Sequence, residues 1–206
     1  MRGTFVTIEG LDFSGKSTLV KYLKDLLNSE RPMYFTREPG GTVAGERIRS
    51  LVLDPEMEID DWTEAYLYAA SRADHVRRVI LPRLESGENV VCERYLDSSL
   101  AYQGAGRGLG VAAVRKLNSF AVRGAMPDRT FYLRLDTAER ERRAAARGEP
   151  DRLERAGEDF MSRVEVAFEE LAKAEPERII VLDASLPPKR LAGEILDYLR
   201  GCREGR

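Results

Sequence analysis

The sequence predicts an α/β fold in which helices cover both faces of a parallel sheet. Short runs rich in Val, Ile, Phe, Tyr and Leu alternate with helical stretches, at residues 4–9, 33–37, 89–93, 129–135 and 178–183. A glycine-rich loop lies between the first strand and the first helix. The chain has 206 residues and is 43% hydrophobic, which suits a single domain spanning 1–206. Ligands of such sheets bind at the carboxyl ends of the strands, so we expect functional residues just after each strand.

The composition excludes several classes of protein. The chain carries 33 basic and 35 acidic residues, and its net charge of −2 gives no global case for nucleic-acid or membrane binding. It has two cysteines and no C-x-x-C pair, so neither a cysteine metal site nor a disulfide framework is expected. No signal peptide precedes the first strand, and no apolar run approaches the ~20 residues of a membrane span. We therefore expect a cytoplasmic protein.

The loop after the first strand fits G-x-x-x-x-G-K-[ST], the P-loop pattern, and a helix with leucines on one face follows it. Gly10 and Gly15 let backbone N–H groups approach phosphate oxygens, Lys16 can reach the β- and γ-phosphates, and Ser17 can hold Mg²⁺. The alternative is a glycine-rich turn that binds nothing. The predicted nucleotide site comprises Gly10, Leu11, Asp12, Phe13, Ser14, Gly15, Lys16, Ser17 and Thr18.

The second strand is followed by Arg37-Glu38-Pro39-Gly40-Gly41-Thr42. Pro-Gly-Gly predicts a turn, and Thr42 can cap the next helix, which carries Arg47 and Arg49. Taken alone, this segment is best interpreted as a plain loop before a solvated, charged helix.

A long helix is predicted from about 60 to 84, with Asp60 at its start and Pro82 near its end. Tyr68 and Arg72 lie four residues apart and share a face. An aromatic ring beside a guanidinium could stack on a base and hydrogen-bond its edge. The simpler interpretation is a core tyrosine next to an exposed arginine. His75, one turn further on, is interpreted as a surface or structural residue.

The third strand ends in Glu93-Arg94-Tyr95. An acid at this strand end lies where a P-loop protein needs a carboxylate on the Mg²⁺ side, and Arg94 could hold a second phosphate. Glycines through residues 104–110 predict an irregular, adjustable loop after this strand. The helix at about 111–123 is interpreted as packing.

After the fourth strand, residues 138–156 are rich in arginine, and Gly148-Glu149-Pro150 interrupts the helical pattern. Alternating charges are typical of a solvated helix. The second interpretation is a lid whose arginines neutralise charge on a transferring phosphoryl group. The P-loop supplies no arginine, because Phe13 holds its variable position. The residues themselves leave both interpretations open. The helix at about 157–174, with an apolar stripe, is interpreted as core.

Together these pieces resemble the bacterial thymidylate kinases from end to end. R-E-P-G-G-T and S-S-x-A-Y-Q-G are much more specific than the P-loop, which many families share. The matching stretches are Glu9–Ser17, Arg37–Thr42, Gly45–Arg49, Ala69–Arg72, Arg94–Gly104 and Pro127–Asp128. The resemblance implies a P-loop kinase fold with a five-stranded parallel sheet, helices on both faces and a short lid.

The resemblance also implies that the protein phosphorylates dTMP to dTDP with ATP and Mg²⁺. It implies a homodimer that binds nucleotides and neither nucleic acid nor membranes. The acceptor is already an anionic phosphate, so alignment and charge stabilisation would drive catalysis without a general base. Two alternatives stay open. One is a kinase for another nucleoside monophosphate such as dUMP. The other is a non-catalytic switch that binds GTP, against which the absence of an N-K-x-D stretch counts.

The family resemblance assigns roles residue by residue. It implies that Tyr68 stacks on thymine, that Arg72 bonds the base edge, and that Ser99 and Gln103 help to bind the base. Tyr102 would crowd the ribose 2′ position. Arg49 and Arg94 would hold the acceptor phosphate, with Asp12 and Glu38 near the deoxyribose and the reacting phosphates. The implied catalytic set is Asp12, Lys16, Arg94 and the lid residues Arg143, Arg147 and Arg152.

Two residues depart from the family pattern. Ser17 and Glu93 are the residues expected beside Mg²⁺. Glu93 stands where the family usually has aspartate. Its extra methylene could shift the water shell of the ion. Tyr68 stands where the family often has phenylalanine, and its hydroxyl needs a hydrogen-bond partner.

Overall fold

A computed structural model describes residues 1–27, 33–145 and 152–204 of the chain. Its sheet has the strand order β2-β3-β1-β4-β5, and every neighbouring pair is parallel. The predicted five-stranded parallel sheet is therefore confirmed. The strands are β1 (Phe5–Glu9), β2 (Met33–Arg37), β3 (Asn89–Glu93), β4 (Arg129–Arg134) and β5 (Ile179–Asp183).

Helices cover both faces of this sheet, as predicted. In chain order they are α1 (Lys16–Leu27), α2 (Val43–Leu53), α3 (Asp61–His75), α4 (Leu81–Glu85), α5 (Leu96–Ser99), α6 (Val111–Val122), α7 (Thr137–Ala144), α8 (Glu158–Ala174) and α9 (Pro188–Glu204). Successive strand residues point to opposite faces, so the sheet separates two cores. In β3, Val91 packs with α1 and α9, whereas Val90 packs with helices of the other face.

The long helix predicted near 60–84 is three helical segments in one continuous run. Asp60 caps its start, accepting hydrogen bonds from the backbone N–H groups of Trp62 and Thr63. A π-helical turn, Val76–Ile80, joins α3 to α4. Proline has no backbone N–H to donate, and the wider turn before Pro82 lets the helical path continue through it.

The segment after β3 is helical as far as Gly106, where its glycines predict an irregular loop, and irregular at residues 107–110. It forms α5 and then a π-helical stretch, Leu100–Gly106. The reason is close packing: a Cβ atom at Gly106 would lie 2.6 Å from the Phe160 ring of α8. This glycine is required by the approach of α8 and not by a mobile loop.

The predicted lid at 138–156 includes α7 and a short 3₁₀ turn, Glu154–Ala156. Asp136 caps α7 through the N–H of Ala138. Residues 146–151, and with them Arg147, lie outside the described residues. Among the helices that the structure describes, none combines the length and the apolar character needed to span a membrane.

Candidate active site

Two adjoining clefts open at the carboxyl ends of the strands. The P-loop cleft, about 1580 Å³ with its open mouth, is lined by residues 12–19 and by side chains from β3, α2, α7 and α9. The Tyr68 cleft, about 530 Å³ with its mouth, lies between α2, α3 and the segment after β3. Asp12, Glu38, Arg49 and Arg94 line both clefts. Four charged side chains therefore stand at the junction.

The P-loop adopts the tight path that its glycines predict. Gly10 has φ +145°, and a Cβ atom there would lie 2.7 Å from the carbonyl oxygen of Leu133 on β4. Phe13 also has a left-handed backbone, with φ 66°. The loop can fold this closely against the sheet only because residue 10 has no side chain.

Lys16 is buried at the base of the P-loop, where its ammonium donates to the carbonyl oxygen of Leu11 at 2.7 Å. Burial lowers the pKa of Lys16 to about 8, and the positive charge of Arg94 acts in the same direction, against Asp12 and Glu93. The lysine is therefore mostly protonated at neutral pH, although less completely than a lysine in solution.

Ser17 and Glu93 meet across the loop. The Ser17 hydroxyl donates to a Glu93 carboxylate oxygen at 2.7 Å. The described residues contain no group of three or more His, Cys, Asp or Glu side chains that could hold a metal ion. Mg²⁺ needs no such cage, because it takes one or two protein oxygens together with phosphates and water. The hydroxyl and carboxylate therefore suit Mg²⁺, and the longer glutamate reaches the serine.

Arg94, Asp12 and Tyr102 form a polar group at the junction of the clefts. Arg94 donates to Asp12 at 2.6 Å, and the Tyr102 hydroxyl donates to the other Asp12 oxygen at 3.1 Å. Burial alone would raise the pKa of Asp12, but the charges of Arg94 and Lys16 outweigh it and hold that pKa at about 2. Arg94 has a left-handed backbone, with φ 63°. The strand end thus turns sharply to aim this guanidinium between the clefts.

Arg72 is fully buried. The simpler interpretation of its spacing from Tyr68, an exposed arginine, is therefore wrong. The Arg72 guanidinium donates to Glu38 at 2.8 Å, to the Ser99 hydroxyl at 3.1 Å and to the Tyr95 carbonyl at 2.9 Å, and also to the amide oxygen of Asn118. A guanidinium has five N–H groups. These four bonds engage four of the five, and Arg72 also lines the Tyr68 cleft.

Glu38 is held by a second basic residue. His75, also buried, hydrogen-bonds Glu38 at 2.9 Å and the Thr36 hydroxyl at 2.7 Å. His75 therefore has the structural role that was one of its two predicted interpretations. The pair Arg72 and His75 fixes Glu38 at the rim of both clefts.

The remaining predicted residues of the Tyr68 cleft lie around its walls. Tyr68, Ser99 and Gln103 are almost fully buried and line it. Arg49 donates to the carbonyl oxygen of Pro39 at 3.1 Å. Burial, with the nearby charge of Arg37, lowers the pKa of Arg49. The structure thus brings all eight predicted substrate-side residues into one cleft: Glu38, Arg49, Tyr68, Arg72, Arg94, Ser99, Tyr102 and Gln103.

Two of the three candidate lid arginines, Arg143 and Arg152, lie within the described residues, and they lie apart. Arg143 lines the P-loop cleft, donating to the carbonyl oxygens of Phe13 at 3.4 Å and Ala184 at 3.3 Å. Arg152 pairs instead with the buried carboxylate of Glu64, beside the Tyr68 cleft. In this structure only Arg143 faces the P-loop among the lid arginines that are described.

Sequence reasoning missed several lining residues. Ala184, Leu186, Pro188 and Leu191 line the P-loop cleft, and the rule about strand ends could have found them, because they follow β5. Leu53 and Leu153, which line the Tyr68 cleft, carry no local signal. They reach the cleft through packing.

Glu9, at the end of β1, is a further buried acid beside the site. It accepts hydrogen bonds from the Tyr95 backbone N–H at 2.7 Å and from the Ser98 hydroxyl. Burial, together with the charge of Asp97, raises the pKa of Glu9 to about 7 against the effect of these bonds and of Arg94. Its protonation therefore changes near neutral pH.

Comparisons with known proteins agree with one another. A family model described as thymidylate kinase matches residues 8–195. A thymidylate kinase of Deinococcus radiodurans is 49% identical over 195 residues, which cover 94% of this chain and 95% of that protein. One of Exiguobacterium sibiricum is 44% identical, covering 97% of each chain. The crystal structure of the thymidylate kinase from Ehrlichia chaffeensis superposes with a TM-score of 0.76 at 28% identity, covering 97% of this chain and 99% of that one.

Proposed function

The chain belongs to the thymidylate kinase family, and we propose that it transfers the γ-phosphoryl group of ATP in line to dTMP, producing dTDP and ADP. The observation that carries this mechanism is the junction of the two clefts. The P-loop cleft suits ATP and the Tyr68 cleft suits dTMP, with Asp12, Glu38, Arg49 and Arg94 lining both. A donor and an acceptor bound there would meet beside the guanidinium groups of Arg49 and Arg94, and holding the two substrates in line favours the transfer.

On the donor side, residues 10–18 would surround the phosphates of ATP. The backbone N–H groups of the loop and the start of α1 offer partial positive charge to them. The Lys16 ammonium, which now bonds the Leu11 carbonyl, would exchange that partner for a phosphate oxygen. Lys16 would then stabilise the charge that develops on the β- and γ-phosphates.

Mg²⁺ would be held on the side of Ser17 and Glu93, whose oxygens lie within hydrogen-bond distance of each other. Charge neutralisation on the phosphate oxygens is the chemistry that a bound Mg²⁺ supplies. Glu93 in place of aspartate keeps a carboxylate at the strand end, and its contact with Ser17 supports this assignment.

On the acceptor side, Arg49 and Arg94 would bind the 5′-phosphate of dTMP. Tyr102 would exclude a ribose 2′-hydroxyl, because its own hydroxyl is held by Asp12 and Arg94 and cannot easily move aside. A deoxyribonucleotide fits this arrangement better than a ribonucleotide.

The base would stack on Tyr68, and Ser99 and Gln103 would lie beside it. Four of the five N–H groups of Arg72 are engaged in protein hydrogen bonds, and the fifth would suit a single carbonyl oxygen on the base edge. Thymine and uracil both carry such an oxygen, so this hydrogen bond would not distinguish them. The fit of the 5-methyl group in the cleft would distinguish dTMP from dUMP.

Residues 138–156 would act as a lid on the single domain, residues 1–206. Arg143 is the arginine that the geometry favours for the transferring phosphoryl group, because it already reaches the P-loop at Phe13. Its partner Glu139, four residues earlier, orients the guanidinium at 2.7 Å. Arg147 and Arg152 remain candidates for the same role.

The first experiment is ADP release from ATP and Mg²⁺ with dTMP, dUMP, UMP, CMP, AMP and GMP as acceptors. We expect strong selectivity for dTMP. A preference for AMP or GMP would discard the roles given to Tyr68 and Arg72, and a preference for UMP would discard the role given to Tyr102, but each result would keep the phosphoryl transfer. No acceptor-dependent turnover would refute the proposed function.

We further propose that the protein is a homodimer that uses the outer surfaces of α3 and α6. These two helices pack together, and they expose Trp62, Tyr66 and Phe120, the last with 89% of its surface accessible. Phe120→Asp should give a monomer by light scattering, whereas Val166→Asp, on α8, should leave the wild-type mass. A monomeric wild type at about 50 μM would contradict this interface.

A cytoplasmic location fits the substrates and the state of Cys92. Its thiol is free and buried, as expected in a reducing compartment. Fractionation of cells that express the protein would test the location directly.

A further inference from the structure

Among the described residues, Glu64 on the first turn of α3 is the buried acid outside the reacting groups that has the most side-chain partners. None of its side chain is exposed, and three side chains donate to it. Gln103 Nε2 lies 2.8 Å from Oε1, while Arg107 Nη2 at 2.9 Å and Arg152 Nη2 at 2.5 Å share Oε2. A carboxylate this deeply buried is stable only while such partners hold it. We call these four residues the Glu64 cluster.

The partners of Glu64 come from segments that are distant in sequence. Gln103 lies in the π-helical stretch and lines the Tyr68 cleft. Arg152 is the first described residue after the gap at 146–151. Its Nε also donates to the Val52 carbonyl at the end of α2, at 2.9 Å. Glu64 thus joins the end of the predicted lid to the base side of the cleft.

We infer that Glu64 is a positioning residue for base selection, because it fixes which way the Gln103 amide faces. This inference rests on the proposed function. A carboxylate oxygen can only accept, so the amide NH₂ of Gln103 must face Glu64. The amide is planar, and its carbonyl oxygen therefore lies on the side away from Glu64. Gln103 then presents an acceptor to the bound base.

An acceptor at this position discriminates between pyrimidines. The N3 atom of thymine carries a hydrogen and donates, whereas N3 of cytosine accepts. A fixed Gln103 carbonyl favours thymine and opposes cytosine, since two acceptors that face each other leave both without a proton. If the amide were free to turn, its NH₂ group could serve cytosine equally well.

The same cluster positions the apolar wall of the cleft. Leu153, the residue after Arg152, is buried and lines the Tyr68 cleft together with Leu53. Arg152 holds this segment through its bonds to Glu64 and to α2. The orientation of Gln103 and the placement of Leu153 are thus two separable consequences of one carboxylate.

The test is the ratio of kcat/KM for dTMP to that for dCMP. Glu64→Gln keeps the shape of the side chain but offers an NH₂ group, so the Gln103 amide can turn. We expect the ratio to fall about tenfold or more, with the KM for ATP unchanged. Arg152→Met should raise the KM for dTMP through Leu153 but leave the ratio unchanged. Asp61→Asn, which alters an exposed partner of Arg107 on the same helix, should change neither quantity.

An unchanged ratio in active Glu64→Gln would overturn the inference. Glu64→Gln removes the buried counter-charge that Arg107 and Arg152 share, and this could prevent folding. The double variant that combines Glu64→Gln with Arg107→Met removes one of the two arginine charges. We expect the same loss of selectivity from it, and an unchanged ratio in this variant would also overturn the inference. A wild type without dTMP-dependent ADP release would overturn the proposed function as well. An active wild type with an unchanged ratio in the variants would overturn only the role of Glu64.

Discussion

Replacing Arg72 with alanine should destabilise the whole protein as well as alter base binding. The wild-type guanidinium is 1% exposed and makes four hydrogen bonds, one of them to the buried carboxylate of Glu38 at 2.8 Å. In Arg72→Ala, His75 is the one side-chain partner that this carboxylate keeps within the described part of the chain. Removing one partner of a buried ion pair costs about 3–5 kcal/mol, and the unpaired Asn118 and Tyr95 acceptors add to the cost. We expect the free energy of unfolding to fall by about 4 kcal/mol.

Urea denaturation at pH 7.5, followed by circular dichroism, measures this loss. Arg72→Lys keeps the charge but cannot form the planar fork, so it should lie between wild type and alanine. The matched control is Arg78→Ala, six residues further along the same run of helix. The side chain of Arg78 is 70% exposed and pairs with Asp74, and such surface pairs are worth about 0–1 kcal/mol.

A loss below about 1 kcal/mol in Arg72→Ala, at an unchanged denaturant slope, would refute the reasoning. It would mean that water enters the site and solvates Glu38. The base preference of the folded fraction is a separate readout. We expect Arg72→Ala to lose discrimination among the monophosphates, and an unchanged preference would remove Arg72 from the base edge.

Other predictions concern the reacting groups and the response to pH. Lys16→Ala should lower kcat by about 10²-fold or more, and near-normal turnover would contradict the mechanism. Arg143→Ala should lower kcat by about 10³-fold, whereas Arg142→Ala, at a position 73% exposed, should leave it nearly unchanged; equal effects would dismiss Arg143. Glu9 has a pKa of about 7 in the folded protein, above its ordinary 4.5, so the stability it contributes at low pH is lost as pH rises from about 4.5 to 7. Urea unfolding at pH 5 and pH 8 should show this fall in wild type but not in Glu9→Gln.

Most elements of the fold could be predicted from the sequence, because the residues that indicate each strand, helix or cap are close together in the chain. The P-loop lies between a buried strand and a helix, as its pattern requires, and Asp60 and Thr42 cap the helices that they were expected to cap. The prediction of an irregular segment after β3 was wrong as far as Gly106 and holds for residues 107–110. Gly106 reflects the close approach of α8, and α8 lies more than fifty residues away in sequence.

Spacing along one helix could not decide between an exposed and a buried Arg72. Its partners Glu38, Ser99 and Asn118 belong to three other segments. A lone buried arginine would be very unfavourable, so an exposed side chain is the reasonable expectation until those partners are known. The family resemblance placed Arg72 in a site, but not in this network.

By itself, the sequence determined the parallel α/β sheet, the phosphate-binding loop and the family. Each of these features depends on residues that are contiguous or regularly spaced, so it can be predicted from the sequence without the folded structure. Only the tertiary structure decided that two clefts share Asp12 and Arg94, that Arg143 faces the P-loop while Arg152 does not, and that Glu64 gathers side chains from separate segments. Such contacts form where distant segments pack, and a buried charge is stable only where packing brings it a partner.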